Sequence, residues 1–277
     1  MVRVIRHGLG RAAALGGAVS LTTLSGCVVI PTVKETRSIE ADYVDGMSLD
    51  VVTRNGRVDV KQADVDVVVI TAHLKSRSQE RLDATRIVAE PDETGALAIR
   101  VHWPDDRRLG NEGCSFEIET PGAYGVRLRS SNGALSMTGL TGDAVLDTSN
   151  GGITVRGHDG PIRADTSNGG VRMFGVAGPI QIDTSNGGVT VALAPTAHGP
   201  VHIDTTNGGV RLTMPASFEG DLVLDTSNGS ISYETPPNVQ RVSASRHHAV
   251  LQSGAGGPTS VVSTSNGSIV VDFVPSE

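Results

Sequence analysis

The sequence predicts an all-β protein, folded as a β-solenoid of stacked 18- to 21-residue coils, and three observations carry that prediction. The first is a repeated phrase, Asp183-Thr184-Ser185-Asn186-Gly187-Gly188-Val189-Thr190-Val191. It recurs from Asp147 to Val155, from Asp165 to Met173, from Asp204 to Leu212 and from Asp225 to Tyr233. Its asparagines, Asn132, Asn150, Asn168, Asn186, Asn207, Asn228 and Asn266, are separated by 18, 18, 18, 21, 21 and 38 residues. The last interval reads as two coils, with a decayed copy at Ser245-Arg246-His247 between them. The second observation is alternation on both sides of Asn-Gly, where apolar residues stand two apart: Ile180 and Ile182 before it, Val189 and Val191 after it. The third is composition: 34 glycines and 3% aromatics suit tight β coils and not helices.

Two architectures satisfy this pattern. In a solenoid, each arm pairs with its counterpart one coil along, and a single coil buries its apolar face only by stacking. In an antiparallel hairpin meander, Asn-Gly is instead the tight turn between two strands. Identical residues recurring at one place favour the solenoid. Successive Thr, Asn and Gly residues would then form ladders at about 4.8 Å. The spare glycine after Asn-Gly suits a bend with positive φ at more than one residue.

From the N-terminus, Arg3, Arg6 and Arg11 precede a short apolar run, Ala12 to Leu24. This is the pattern of an export signal, too short for a bilayer span of about 20 residues. Leu24-Ser25-Gly26-Cys27 at its end resembles the lipobox of bacterial lipoproteins. That resemblance implies cleavage before Cys27 and a lipid anchor on its thiol, so residues 1–26 are read as the lipoprotein signal peptide and 27–42 as a lipidated tether. The membrane holding the anchor is the bacterial cell membrane or the outer membrane. Val28, where a retention-type Asp would stand, favours the outer one. Without the first 26 residues the charge falls from −7 to −10 (20 basic against 30 acidic), which speaks against a nucleic-acid partner. Cys114, the second of 2 cysteines, has no partner once Cys27 is lipidated and reads as a buried, inert thiol.

The remainder, 43–277, reads as one β-strand-repeat domain, with irregular coils to about residue 121 and regular repeats after it. Leu49 to Val52 and Val58 to Val60 flank a first Asn55-Gly56 turn, and Val65 to Thr71 is a β-branched strand candidate. Ser76 to Arg86 is the one plausible helical turn. Ile87-Val88 and Leu97 to Trp103 resume the β signal around Pro91 and Gly95, and Pro104 to Gly113 reads as a charged loop. Phe116 to Glu119 then leads to Thr120-Pro121-Gly122.

From about residue 45 onward the chain resembles the bacterial putative-adhesin family of β-strand-repeat domains, itself of unknown function. The resemblance rests on Thr-Ser-Asn-Gly followed by Gly or Ser and a β-branched residue, at Thr148 to Ile153, Thr166 to Val171, Thr184 to Val189, Thr226 to Ile231 and Thr264 to Ile269. Phe116 to Pro121 is similar to the strand-Pro lead-in of such repeats. The resemblance implies a solenoid-like fold at the cell envelope and supplies no catalytic residues.

The most suggestive constellation is the column Asp147, Asp165, Asp183, Asp204 and Asp225. Unit charges about 4.8 Å apart in water repel by roughly 0.9 kcal/mol, so something should offset them. Bridging Ca2+ is one answer; backbone hydrogen bonds to each Asp within its own turn are the other, and the favoured one. The glycine-rich Ca2+-binding nonapeptide is absent, because Gly151-Gly152 is followed by Ile153-Thr154-Val155-Arg156. His198 and His202 flank Gly199-Pro200 in a strand context, and His247-His248 lack a third ligand nearby, so all four read as solvated. No nucleophile elbow, phosphate loop or dinucleotide fingerprint is present. No cofactor is expected.

These observations favour a non-enzymatic, lipid-anchored envelope protein whose repetitive β surface serves adhesion or protein and glycan interaction. The alternatives are a β-helix enzyme acting on polysaccharide and an envelope-stress signalling partner. The enzyme reading is weakened by the scarcity of aromatic platforms: Trp103 is the only Trp, with Tyr43, Tyr124 and Tyr233 spread apart.

Overall fold

The computed structural model describes residues 3–5, 32–254 and 256–275. It contains two 12-stranded sheets face to face. The strands that approach each Asn-Gly turn form one sheet and those that leave it form the other. Across the stack, the approach sheet runs Arg86–Pro91, Leu97–His102, Leu49–Val52, Tyr124–Ser130, Thr141–Thr148, Ile162–Thr166, Ile180–Asn186, Val201–Asn207, Thr259–Asn266, Gly220–Asn228, His248–Ser253 and Val239–Ala244. The exit sheet runs Arg3–Ile5, Val33–Ala41, Val68–Ser76, Gly113–Thr120, Val58–Gln62, Leu135–Thr138, Ile153–His158, Val171–Val176, Val189–Leu193, Val210–Pro215, Ile269–Val274 and Ile231–Tyr233.

Pairing along the middle of both sheets is parallel, so the chain is a β-solenoid and not a meander. Like residues face like: Ile162 meets Ile180, Asp165 meets Asp183, and Val189 meets Val210. The alternating apolar residues become one core between the sheets, with Ile182, Val191, Leu146 and Met173 fully buried. Steps of 18 and 21 residues fit one stack because the longer coil places its surplus in the connection from Leu193 to Val201, away from the Asn-Gly turn.

Antiparallel strands close the N-terminal end of both sheets and the C-terminal end of the approach sheet. The exit sheet ends there on the short parallel strand Ile231–Tyr233. Near the N-terminus, Arg86–Pro91 covers Leu97–His102, while Val33–Ala41 and Val68–Ser76 cover Gly113–Thr120. At the other end the hairpin Val239–Ala244 and His248–Ser253 covers Gly220–Asn228. The outer strands blunt their edges with Pro91 at one end and an exposed polar run including Gln240, Arg241 and Ser243 at the other.

Three expectations need correction. The segment 27–42 is not a tether throughout, since Val33–Ala41 is a strand paired over its whole length with Val68–Ser76. Its periodicity is weak because only Ile39 and Ala41 reach the core. The coils also do not stack in chain order. Thr259–Asn266 lies between Val201–Asn207 and Gly220–Asn228, and Leu49–Val52 lies between Leu97–His102 and Tyr124–Ser130. The supposed decayed coil at Ser245 to His247 is therefore the bend of the capping hairpin. It still joins the stack, because Thr226 N–H donates to the His247 carbonyl at 2.9 Å. Finally, none of the Asn-Gly glycines has positive φ. Cys27 and most of the export signal lie outside the described residues. Arg3–Ile5, within the segment read as signal, pairs with Ser38 to Glu40.

Shorter elements follow the sequence closely. Gln79–Ala84 is a helix, capped by the Ser78 hydroxyl accepting from the Arg81 N–H. Cys114 is buried, and burial pushes its thiol far above the ordinary range, as an inert cysteine requires.

Candidate functional site

The Asn-Gly edge is built from columns of different exposure. Leu146, Asp147 and Thr148 alternate in, out and in, so the strand buries its Thr and displays its Asp. Each buried Thr or Ser hydroxyl donates to a carbonyl of the adjoining coil: Thr148 to Gly133 at 3.0 Å, Thr166 to Gly151 at 3.0 Å, Thr184 to Gly169 at 3.2 Å and Thr264 to Gly208 at 2.9 Å. Thr53, Ser130, Thr205 and Thr226 extend the same column. A buried hydroxyl bonded this way contributes about 1 kcal/mol, and leaving its carbonyl unpaired would cost more. The Thr ladder expected from the repeat is thus present, and the in-out parity of Leu146-Asp147-Thr148 turns it inward.

Close approach explains the first glycine of each turn. A Cβ on Gly187 would stand 2.1 Å from the Gly169 carbonyl oxygen, and one on Gly151 the same distance from that of Gly133. The asparagines finish the edge. Asn132 donates its side-chain amide to Asn55, Asn150 to Asn132, Asn168 to Asn150, Asn186 to Asn168, Asn207 to Asn186, Asn266 to Asn207 and Asn228 to Asn266, each at 2.8–3.0 Å. All the predicted turn asparagines thus form one ladder, started by Asn55. Its order follows the stack and not the chain.

Outside this frame lie the carboxylates. Asp147, Asp165, Asp183 and Asp204 are consecutive neighbours, but Ser263 separates Asp204 from Asp225. The predicted column is therefore four residues long, and Asp225 instead meets His248 Nδ1 of the capping hairpin at 2.6 Å. With Ser149, Ser167, Ser185 and Thr206, the four aspartates line an open groove of about 340 Å3.

At two of the four positions the carboxylate meets a side chain from two residues upstream. Arg163 donates to both carboxylate oxygens of Asp165 at 2.9 and 3.1 Å and lies 3.6 Å from Asp183, which also accepts from Gln181 at 3.2 Å. On these carboxylates the partners seen among the described residues are side chains and not the expected backbone bonds. Among the described residues no three His, Cys, Asp or Glu side chains converge as a metal site, so the Ca2+ expectation gains no support from the geometry. Partial burial and then the neighbouring Asp183 raise Asp165 above the ordinary carboxylate range, against the pull of Arg163. His202 is exposed beside Gln181, and His198 and His247 are exposed as well.

At the N-terminal end, Glu112 is fully buried and held by Arg81 at 2.6 Å, the Ser76 hydroxyl at 2.9 Å and the Leu109 N–H at 2.6 Å. Burial opposes its ionisation, yet those three donors together hold its carboxyl below the ordinary range. It ties the loop before Gly113 to the helix and to the end of Val68–Ser76.

Ladders of this kind on a parallel two-sheet stack define a β-solenoid repeat protein. The Toastrack DUF4097 family model matches residues 19–272, and the chain belongs to that family. Solved structures similar to it include a putative adhesin from Bacteroides fragilis, at 8% identity and TM-score 0.41, covering 88% of this chain and 97% of its own. A putative adhesin from Parabacteroides distasonis has 12% identity and TM-score 0.37 with the same coverages. A putative cell adhesion protein from Clostridium sporogenes has 11% identity and TM-score 0.31, covering 88% and 100%. No curated protein matches the chain.

Proposed function

We propose that the chain is a non-enzymatic envelope protein, exported and lipidated at Cys27, that presents the Asp-edged outer face of the approach sheet to a protein or glycan partner. The observation that carries this reading is the in-register display of Asp147, Asp165, Asp183 and Asp204 beside Ser149, Ser167, Ser185 and Thr206. The Thr and Asn ladders fix that display, so little entropy would be lost on binding, which is the advantage of a preorganised surface. No aromatic residue lines the groove, which weighs against sugar turnover there.

The test uses the full chain expressed in a bacterium. Lipidation predicts palmitate incorporation and a membrane-bound product, both lost in Cys27→Ser. The surface reading predicts that an envelope protein or glycan retained by the wild type is lost when all four aspartates become Asn, in a variant that a cooperative melt shows to be folded. A membrane-free wild type would overturn the anchor. Equal retention by the fourfold variant would overturn the surface.

A further inference from the structure

The column that is acidic in the middle of the stack turns basic towards its N-terminal end. In register beyond Asp147 come Arg129, Val52 and Arg100. Asp50 is the carboxylate that serves this end, shared by Arg100 at 2.5 Å and Arg129 at 3.2 Å. Asp92 also acts on Arg100, so the excess of positive charge lies not in this pair but in the neighbouring cavity, whose lining has three arginines and no acid.

Beside these residues is a cavity of about 310 Å3, at the lower end of small-molecule sites. Its walls include Arg54, Arg100, Arg108 and Trp103. Arg108 is fixed in place, since its Nη1 donates to the carbonyls of Leu109 at 2.9 Å and Glu112 at 2.8 Å. Its Nε is nonetheless buried without an acceptor. That nitrogen is shielded from the cavity's solvent, so Arg108 offers the site its fixed positive charge and not an Nε hydrogen bond. Arg54 extends from the first Asn-Gly turn on the same wall and is exposed. Guanidinium forks match carboxylate and phosphate oxygens. Trp103, only 8% exposed, supplies a flat apolar wall.

We propose that the cavity between Arg54, Arg100, Arg108 and Trp103 binds a compact oxyanion, a carboxylate or phosphate carried on a body the size of one sugar ring. The proposal is independent of the lipid anchor and of the Asp-edged surface.

Trp103 is the chain's single Trp, so its fluorescence reports on this cavity alone. The full chain is titrated at constant ionic strength with glucuronate, glucose 6-phosphate and inorganic phosphate, with glucose as the uncharged control, and calorimetry is run in parallel. Saturable binding of an anion with none of glucose is expected, and the preferred anion assigns carboxylate or phosphate. Arg54→Met and Arg108→Met should each weaken binding about tenfold or more, the usual consequence of losing a charge-assisted hydrogen bond. Among the described residues the Arg54 side chain makes no hydrogen bond or ion pair, and its carbonyl bond from the Asn132 N–H at 2.8 Å survives the substitution. This variant therefore reads the site with little risk to the fold; a melting curve checks Arg108→Met. No saturable binding of any of the three anions, or equal binding by both variants, would overturn the proposal.

Discussion

Gly187 and Gly188 are adjacent in sequence but answer to different neighbours. A Cβ on Gly187 would lie 2.1 Å from a backbone oxygen, whereas one on Gly188 would lie 3.4 Å from the Gly209 oxygen. Only the second distance is an ordinary contact, and Ala134, Ser230 and Ser268 fill the equivalent slot elsewhere. Gly187→Ala should cost about 3 kcal/mol in a urea melt, because packed backbone cannot yield. Gly188→Ala should change stability by no more than about 1 kcal/mol; equal costs would show that the coils part easily. Sequence reasoning found the need for glycine but assigned it to positive φ, because one copy of a motif does not show what the next copy places against it. His158 is a second residue-scale case. It is 2% exposed, neither ring nitrogen has a hydrogen-bond partner, and it pairs in register with Val176. Burial holds it below its ordinary 6.5, and nearby carbonyls such as that of Leu140 offset this only in part. A depressed folded value disfavours the charged form, so the associated stability is present above about 6.5 and is lost as pH falls below it. His158→Leu should therefore flatten the melting temperature between about pH 7 and 5. An unchanged acid slope would place the sensitivity elsewhere.

At the scale of elements, the sequence was most legible where alternation is strict. Ile180, Ile182, Val189 and Val191 announce two half-buried arms, and the parallel register bears them out. The same alternation places Thr184 inward, where its hydroxyl donates to the Gly169 carbonyl. Legibility failed for Val33–Ala41, whose partner Val68–Ser76 lies a full coil away in sequence and whose core side is small. The N-terminal cap depends on one charge that composition could not single out. Glu112 joins the loop, the helix and a strand end through Arg81, Leu109 and Ser76. Its carboxyl lies below the ordinary 4.5, so its stabilisation is present above about that pH and is lost as pH falls through the lower folded value. Glu112→Gln leaves Arg81 without its counter-ion and should cost about 3 kcal/mol at neutral pH. The difference from wild type should shrink on acidification below about pH 4. A constant difference across that range would mean that packing, and not charge, holds the cap.

For the whole molecule, the order of coils decides how stability is shared. In a solenoid stacked in chain order, each repeat contacts its sequence neighbours, and deleting the last one costs little beyond itself. Here the last coil is an interior one. Gly220–Asn228 pairs with Thr259–Asn266 on one side and with the capping hairpin on the other, while Ile231–Tyr233 pairs with Ile269–Val274. Neither Gly220–Asn228 nor Ile231–Tyr233 pairs with Val201–Asn207 or Val210–Pro215, which both pair with the last coil instead. Spacing could not reveal this, because an interval of 38 residues between Asn228 and Asn266 fits two stacked coils as well as an excursion and return. Ending the chain after Pro258 should therefore release Gly220–Ser253 as a block. Hydrogen exchange should show the block's amides losing protection together, while Ile180–Asn186 and the strands before it stay protected. If Gly220–Asn228 kept its protection in that truncation, it would have to dock directly on Val201–Asn207, and the interleaved order would not be what holds the C-terminal end.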